Sequence, residues 1–298
     1  MTLTDADLPP LYDAADRSST EAQALFLRLT RGRLLGLIGA AFFGIYTWKW
    51  GGSGIDWSGV LGSLCFVLAL FVELFLYRLK PEQTWYQARA VAESVKDLSW
   101  KYAVGGEPFN IAADTEIDFN DLFLGRLNSL LEVVKDLDFI APTSSEAQIS
   151  QKMRDMRASP FDERKANYEK GRIADQQNWY QAKATRNRER AGGWTLSMLF
   201  FEIAGFAGGF LKALGLIQGD LLTFSTIIVA SIAAWLQTKQ HRTLATAYAI
   251  AALELSSVRA KIAAQNTEAE WAKFVSDAEE AISREHTLWK ASRGVRAI

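Results

Sequence analysis

Residues Trp194–Ile217 read WTLSMLFFEIAGFAGGFLKALGLI. Only Glu202 and Lys212 carry charge in this run. Its length suits a helix crossing a bilayer core about 30 Å thick, which takes roughly 17–25 residues. Three more stretches share the pattern: Leu34–Trp50 (LLGLIGAAFFGIYTWKW), Trp57–Leu79 (WSGVLGSLCFVLALFVELFLYRL) and Leu221–Gln237 (LLTFSTIIVASIAAWLQ). The first and last are at the short end of the range. Together they predict two helical hairpins, hence four spans.

The flanks give an orientation. Arg28, Arg31 and Arg33 precede the first stretch, and Arg78 and Lys80 follow the second. Arg186, Arg188 and Arg190 precede the third, and Lys239 and Arg242 follow the fourth. The turns GGSGID and QGD carry no basic residue and one Asp each. Excess Lys and Arg mark the cytoplasmic side, so both termini and the middle of the chain are expected there. Trp48, Trp50, Trp57 and Trp194 fall where an aromatic belt meets the interface. Small residues recur four apart at Gly32, Gly36, Ala40 and Gly44, at Gly205 and Gly209, and at Ala230 and Ala234. In lipid, such ladders let helix backbones pack closely.

Composition excludes several classes. The 298 residues carry a net charge near −1, with no basic surplus for nucleic acid. The one cysteine, Cys65, lies in an apolar run and allows neither a disulfide framework nor a thiolate metal site. Two histidines, His241 and His286, leave little for a histidine metal centre. The opening MTLTDADLPPLYDAAD is acidic and polar, unlike a signal peptide. There is no phosphate loop, GxSxG, HExxH or dinucleotide fingerprint. The sequence therefore names no catalytic residue, metal ligand or cofactor, and the chain is not expected to be an enzyme.

The polar segments are helical too. Pro81 ends the second stretch, and Trp85, Ala88, Ala92, Val95 and Trp100 follow at helical spacing until Gly105, Gly106 and Pro108. DFNDLFLGRLNSLLEVVKDLDFI and QISQKMRDMRA predict two further helices. Pro160 opens a segment expected to run into the third stretch, and the fourth is expected to continue through TKQHRTLATAYAIAALELSSVRAKIAA. A capping box, Thr267 to Glu270, starts the last helix. Only the first dozen or so residues look disordered. The expected divisions are a leader (1–24), a first hairpin with its helices (25–140) and a second (141–298). Each half has a basic lead-in, a hairpin and an alanine-rich helix in the same orientation, a loose parallel repeat.

YEKGRIADQQNWYQAKATRNRERAGGW before a hairpin, and the closing AEEAISREHTLWKASRG, resemble the SLATT domains. TWYQARAVAESVKDLSWKYAVGGEPF after the first hairpin is similar to another member of that group. The resemblance implies a tandem of two-transmembrane effector modules, of the kind found beside nucleotide-synthesising or nucleotide-sensing proteins in bacterial conflict systems. It also implies a membrane pore gated from the cytoplasm.

The site candidates follow from charge at membrane depth. Glu202 lies about 12 Å along the helix from Trp194. A charge there costs roughly 2.5–3.5 kcal/mol on insertion scales. It is therefore protonated and hydrogen-bonded inside the bundle, reaching Ser63 or Thr226, or it is one of a ring of carboxylates along a cation path. Glu73, about 7.5 Å from Arg78, is expected to pair with Arg78 or snorkel, or to line a cytoplasmic vestibule of the same path. Lys212 and Lys49 read as snorkelling, and His241 as solvated. Arg172, Asp175 and Trp179 fall on one face at helical spacing. That face could hold a nucleotide phosphate and base, or simply pack; SREHTLWKASR is an equal candidate for a partner surface.

The sequence thus predicts an all-α polytopic protein of the bacterial cytoplasmic membrane with a cytoplasmic helical bundle. Four spans barely enclose a hydrated path, so conduction implies a symmetric homo-oligomer. The expected partners are the lipid bilayer, further copies of the chain, a permeant cation, and a nucleotide signal or sensor protein. The alternative is a membrane-anchored scaffold that conducts nothing.

Overall fold

A computed structural model describes residues 2–49, 54–111, 118–135, 140–143 and 147–292, with side chains placed as far as Ser283 in the last helix. Trp50, half of the GGSGID turn, part of the loop after α4, and the side chains of His286 and of most of SREHTLWKASR lie outside the described residues. Among those described there is no strand, only an isolated bridge between Lys49 and Asp56. The described residues form ten α-helices: α1 (Pro10–Phe43), α2 (Trp57–Leu79), α3 (Pro81–Val104), α4 (Phe119–Val134), α5 (Gln151–Ala158), α6 (Phe161–Tyr168), α7 (Asp175–Ala213), α8 (Leu221–Lys239), α9 (His241–Lys261) and α10 (Glu268–Ser292). They form two compact units, residues 24–81 with 185–245 and residues 1–23 with 82–184 and 246–298. We call these the hairpin unit and the bundle unit.

Among the described residues, three helical runs are long and apolar enough to cross a membrane: Trp57–Val104, Phe161–Ala213 and Leu221–Ala264. The first expected span does not meet that standard. Its helix stops at Phe43, leaving only Leu34–Phe43 apolar, about 15 Å of rise. The windows further back take in Arg28, Arg31 and Arg33.

The two hairpins are built alike. The single Asp of each turn caps the helix that follows. Asp56 Oδ1 accepts from the Ser58 amide at 3.1 Å, and Asp220 Oδ1 from the Thr223 amide at 3.2 Å. Both aspartates are held below the usual carboxylate range, Asp56 chiefly by the Ser58 hydrogen bond and Asp220 by the Thr223 amide. Such caps satisfy amides that an exposed helix start leaves without partners. Both exits are left-handed residues, Lys80 (φ 43°) and Gln240 (φ 49°). The fourth stretch therefore does not flow unbroken into its successor: Gln240 closes α8 on the Leu236 carbonyl at 2.8 Å, and α9 starts afresh. α7, by contrast, continues the helical run from Phe161, as its unbroken polar-to-apolar sequence predicts.

Small residues set the packing within each hairpin. A Cβ on Gly36 would stand 3.1 Å from the Cys65 carbonyl oxygen and 3.2 Å from Ala69 Cβ, so α1 and α2 meet closely there. A Cβ on Gly208 would stand 2.6 Å from Leu221 Cβ, which fixes the approach of α7 and α8. The outward faces are apolar: Leu68, Leu70, Phe71 and Phe75 on α2 are all more than half exposed. α8 is the most covered, burying Ser225, Ile228, Ser231, Ile232 and Trp235.

The bundle unit has a conventional core. Trp100, Phe109, Phe123, Tyr168, Tyr180 and Trp271 are fully buried, and Met153 and Met156 bring α5 onto them. α3 ends where Gly105 turns left-handed (φ 77°). Its last carbonyls are still satisfied: Arg157 donates to the Tyr102 carbonyl at 2.8 Å, and Trp271 Nε1 donates to that of Val104 at 2.8 Å. Residues 2–12 pack in place against the core: Thr4 and Asp7 cap a short helical turn, Leu3 enters the core ahead of it, and Leu8, Leu11 and Ala15 follow at helical spacing. The Thr267–Glu270 capping box forms, each amide–side-chain bond being 3.2 Å.

Candidate functional site

Charged residues in the hairpin unit fall into two groups. Glu73 on α2 accepts an ion pair from Arg33 Nη1 on α1, rather than from Arg78. Five residues along a helix turn a side chain by about 140°, so Arg78 points away from Glu73. Lys212 reaches Asp220 at 3.5 Å, in the turn beyond its own helix. His241 is buried, not solvated: its ring Nδ1 lies 2.7 Å from Asn187 Oδ1. Burial, then Lys239 and Arg190, hold that imidazole below its usual pKa.

Glu202 is the exception. It is exposed on α7, on the side that carries Leu199, Ile203 and Phe206, which are also exposed. Gly205 and Gly208, about 60° and 120° around the helix from Glu202, pack on α8, so Glu202 lies beside that contact and not within it. Among the described residues, Glu202 has no ion-pair or hydrogen-bond partner. Thr226, one expected partner, donates instead to the Leu222 carbonyl at 2.9 Å.

The bundle unit brings three of its charges together. Between α6 and α7 the chain makes one π-helical segment, Glu169–Ala174. Such a segment adds a residue to the turn and re-aims the side chains around it. Arg172 thereby points inward and is 1% exposed. Its Nε donates to Glu279 Oε1 at 3.0 Å and its Nη2 to Glu279 Oε2 at 2.6 Å, a two-pronged pair with α10. Nη2 also reaches Asp97 Oδ1 on α3 at 2.6 Å. Tyr168 donates to Glu279 at 2.9 Å, and Ser283 donates to Asp97.

The electrostatics follow from one cation facing two carboxylates. Burial opposes the Arg172 charge, but Glu279 and Asp97 outweigh it and raise the guanidinium well above its usual pKa. Burial and the neighbouring Glu279 charge push Asp97 well above the carboxylate range. Burial also opposes ionisation of Glu279, yet the Arg172 charge and its hydrogen bonds hold that carboxyl low. Asp97 is thus the carboxyl that keeps a proton most readily, and Glu279 is the ionised partner.

Arg172, Asp175 and Trp179 therefore do not form one open face. Arg172 is buried in the ion-pair centre, whereas Asp175 is exposed. Trp179 packs elsewhere, its ring 5.4 Å from that of Tyr248 with Lys183 Nζ 5.1 Å above it. Arg172 and Asp175 do border one cavity of about 370 Å³ with Lys96, Lys170 and Trp100. There Lys96 is held by Asp5 at 2.7 Å.

Sequence reading missed Asp97, Glu279 and the Arg33 pairing. Glu279 was detectable: it interrupts the buried stripe Trp271, Val275, Ala278, Ile282 on α10, and a charge within such a stripe implies a partner. Asp97 and Arg33 gave no comparable signal. Among the described residues, no three His, Cys, Asp or Glu side chains cluster so as to hold a metal ion.

Two family models match the chain end to end. That of the SMODS and SLOG-associating 2TM effector domain 3 matches residues 9–165, and that of the SMODS and SLOG-associating 2TM effector domain 1 matches residues 168–289. No curated protein and no solved structure matches.

Proposed function

The chain belongs to the SLATT family, two 2TM effector domains of bacterial conflict systems in tandem, and from that premise we propose that it acts as an oligomeric, cation-conducting membrane channel. One observation carries the proposal: Glu202 is exposed and unpartnered among apolar side chains, about 12 Å along α7 from Trp194. A carboxylate facing lipid at that depth is costly. In a ring of subunits it would instead face water on the axis, where a set of carboxylates favours cations. Glu73 is the weaker pathway residue, since Arg33 already neutralises it.

In this reading each 2TM domain supplies two crossings, the first made by the end of α1 with the residues after it. Both termini and the bundle unit are cytoplasmic, in the bacterial inner membrane. α1 and α7 contribute residues to both units, so a change in the bundle reaches the spans along them. A nucleotide signal or a sensor protein would supply that change. No catalytic residue is assigned.

Planar-bilayer recording of the purified protein tests the proposal. Cation-selective steps whose selectivity falls in Glu202→Gln are expected. A protein that inserts as an oligomer yet stays silent under nucleotide and voltage would overturn it in favour of a non-conducting scaffold.

A further inference from the structure

We propose that the hairpin unit binds one phospholipid with an ammonium-bearing, zwitterionic head group. Its acyl chain would lie between α1, α2 and α8, and its head group on the Arg33–Glu73 pair. The inference rests on reading these helices as membrane spans, and not on conduction.

The three helices leave a cleft of about 650 Å³. Leu37, Phe66, Leu70 and Ile227 wall it, over small residues such as Ala69 and Ala230. Along α8 it runs from Thr223 to Ala234, about 16 Å of helix rise. α1 and α8 close it at both ends. The Arg31 guanidinium lies 4.8 Å from the Trp235 ring, and the rings of Phe42 and Phe224 are 5.8 Å apart. A helix of a partner protein, 10–12 Å across, would need roughly 1,300–1,800 Å³ over that length and would have to pass both closures. A flexible chain entering from the side needs neither. Phe66 and Leu70 are more than half exposed, so the cleft opens to the side.

The charged end selects the head group. Arg33 gives Nη1 to Glu73, and its side chain is still 32% exposed. The Glu73 side chain stays 52% exposed. The site thus offers a guanidinium donor and an open carboxylate side by side. A phosphate and an ammonium joined by an ethylene linker complement both, where a purely anionic head group would meet the Glu73 charge.

Native mass spectrometry of the full-length protein tests this, with detergent micelles carrying phosphatidylethanolamine or phosphatidylglycerol of the same chains. One retained phosphatidylethanolamine per chain is expected, preferred about fivefold or more. Glu73→Gln should bring the preference to near unity while keeping an adduct. Ala230→Phe, which fills the cleft, should remove both adducts. Equal retention of the two lipids by the unaltered protein, a preference for phosphatidylglycerol, or adducts unchanged in Ala230→Phe would overturn the proposal. If Ala230→Phe is not monodisperse, Glu73→Gln decides, and an unchanged preference overturns it. A protein silent in planar bilayers that still retains the ethanolamine lipid removes the channel reading and leaves this one standing.

Discussion

Arg172 and Glu202 belong to one helical run, Phe161–Ala213, and meet opposite fates. Arg172 is fully buried, and its charge is answered within the chain by Glu279, Asp97 and the hydroxyls around them. Glu202 is exposed, and no described residue answers it. A charge buried completely inside the chain needs counter-charges from the chain itself, because no solvent remains to help. A helix surrounded by lipid or by other copies can leave a charge open, provided something outside the subunit covers it. The charge of Arg172 is thus answered inside the chain, and that of Glu202 is left open.

The largest effect expected from this contrast lies in the bundle. Arg172→Met strands Glu279 in the core and should destabilise the protein by about 3–5 kcal/mol, read as thermal unfolding in detergent. Arg172→Lys keeps the charge but loses the fork, and should fall between the two. A protein indifferent to both changes would remove the answered half of the contrast.

Glu202 gives the next largest. With Cys65 replaced by Ser, Glu202→Cys should react with a water-soluble thiol reagent about tenfold faster than Phe200→Cys, at an exposed position on the other side of the helix, since thiolates form in water and not in lipid. Equal, slow labelling would place Glu202 in lipid or in a dry interface.

The smallest effect concerns pH. Asp97 has a folded pKa well above its ordinary value of 3.8. It therefore contributes stability at low pH that is lost as pH rises from about 4 through the raised value. Glu279 has the opposite sign: its folded pKa lies below 4.5, so its contribution is present above that value and lost as pH falls. Asp97→Asn should flatten the decline on the rising side and leave the acid limb in place. Denaturant midpoints measured across pH would show both limbs, and a decline that survives in Asp97→Asn would rule Asp97 out as its source.

Helix order was legible because apolar period, prolines and caps are local. Pro81, Gly105, Pro160 and the Thr267–Glu270 box mark element ends where the structure has them. The left-handed Gln240 was not legible, since neither glycine nor proline announces the break between α8 and α9. The N-terminal segment misled in the other direction, its acidic residues masking Leu3, Leu8 and Leu11. At the candidate sites, the exposure of Glu202 depended on which side of α7 meets α8, and the fate of Arg172 on a π turn that α-helical spacing does not anticipate.

By itself the sequence determined that this chain is helical, that long apolar helices recur in two similar halves, and that it resembles the SLATT domains. These properties depend on residues within a few turns of one another. Tertiary structure alone decided that Arg33 pairs with Glu73, that Asp97 and Glu279 share Arg172, and that Glu202 is left open. Each of those outcomes depends on side chains that the chain separates by tens of residues, or on which side of a helix finds a neighbour, and local spacing carries no record of either.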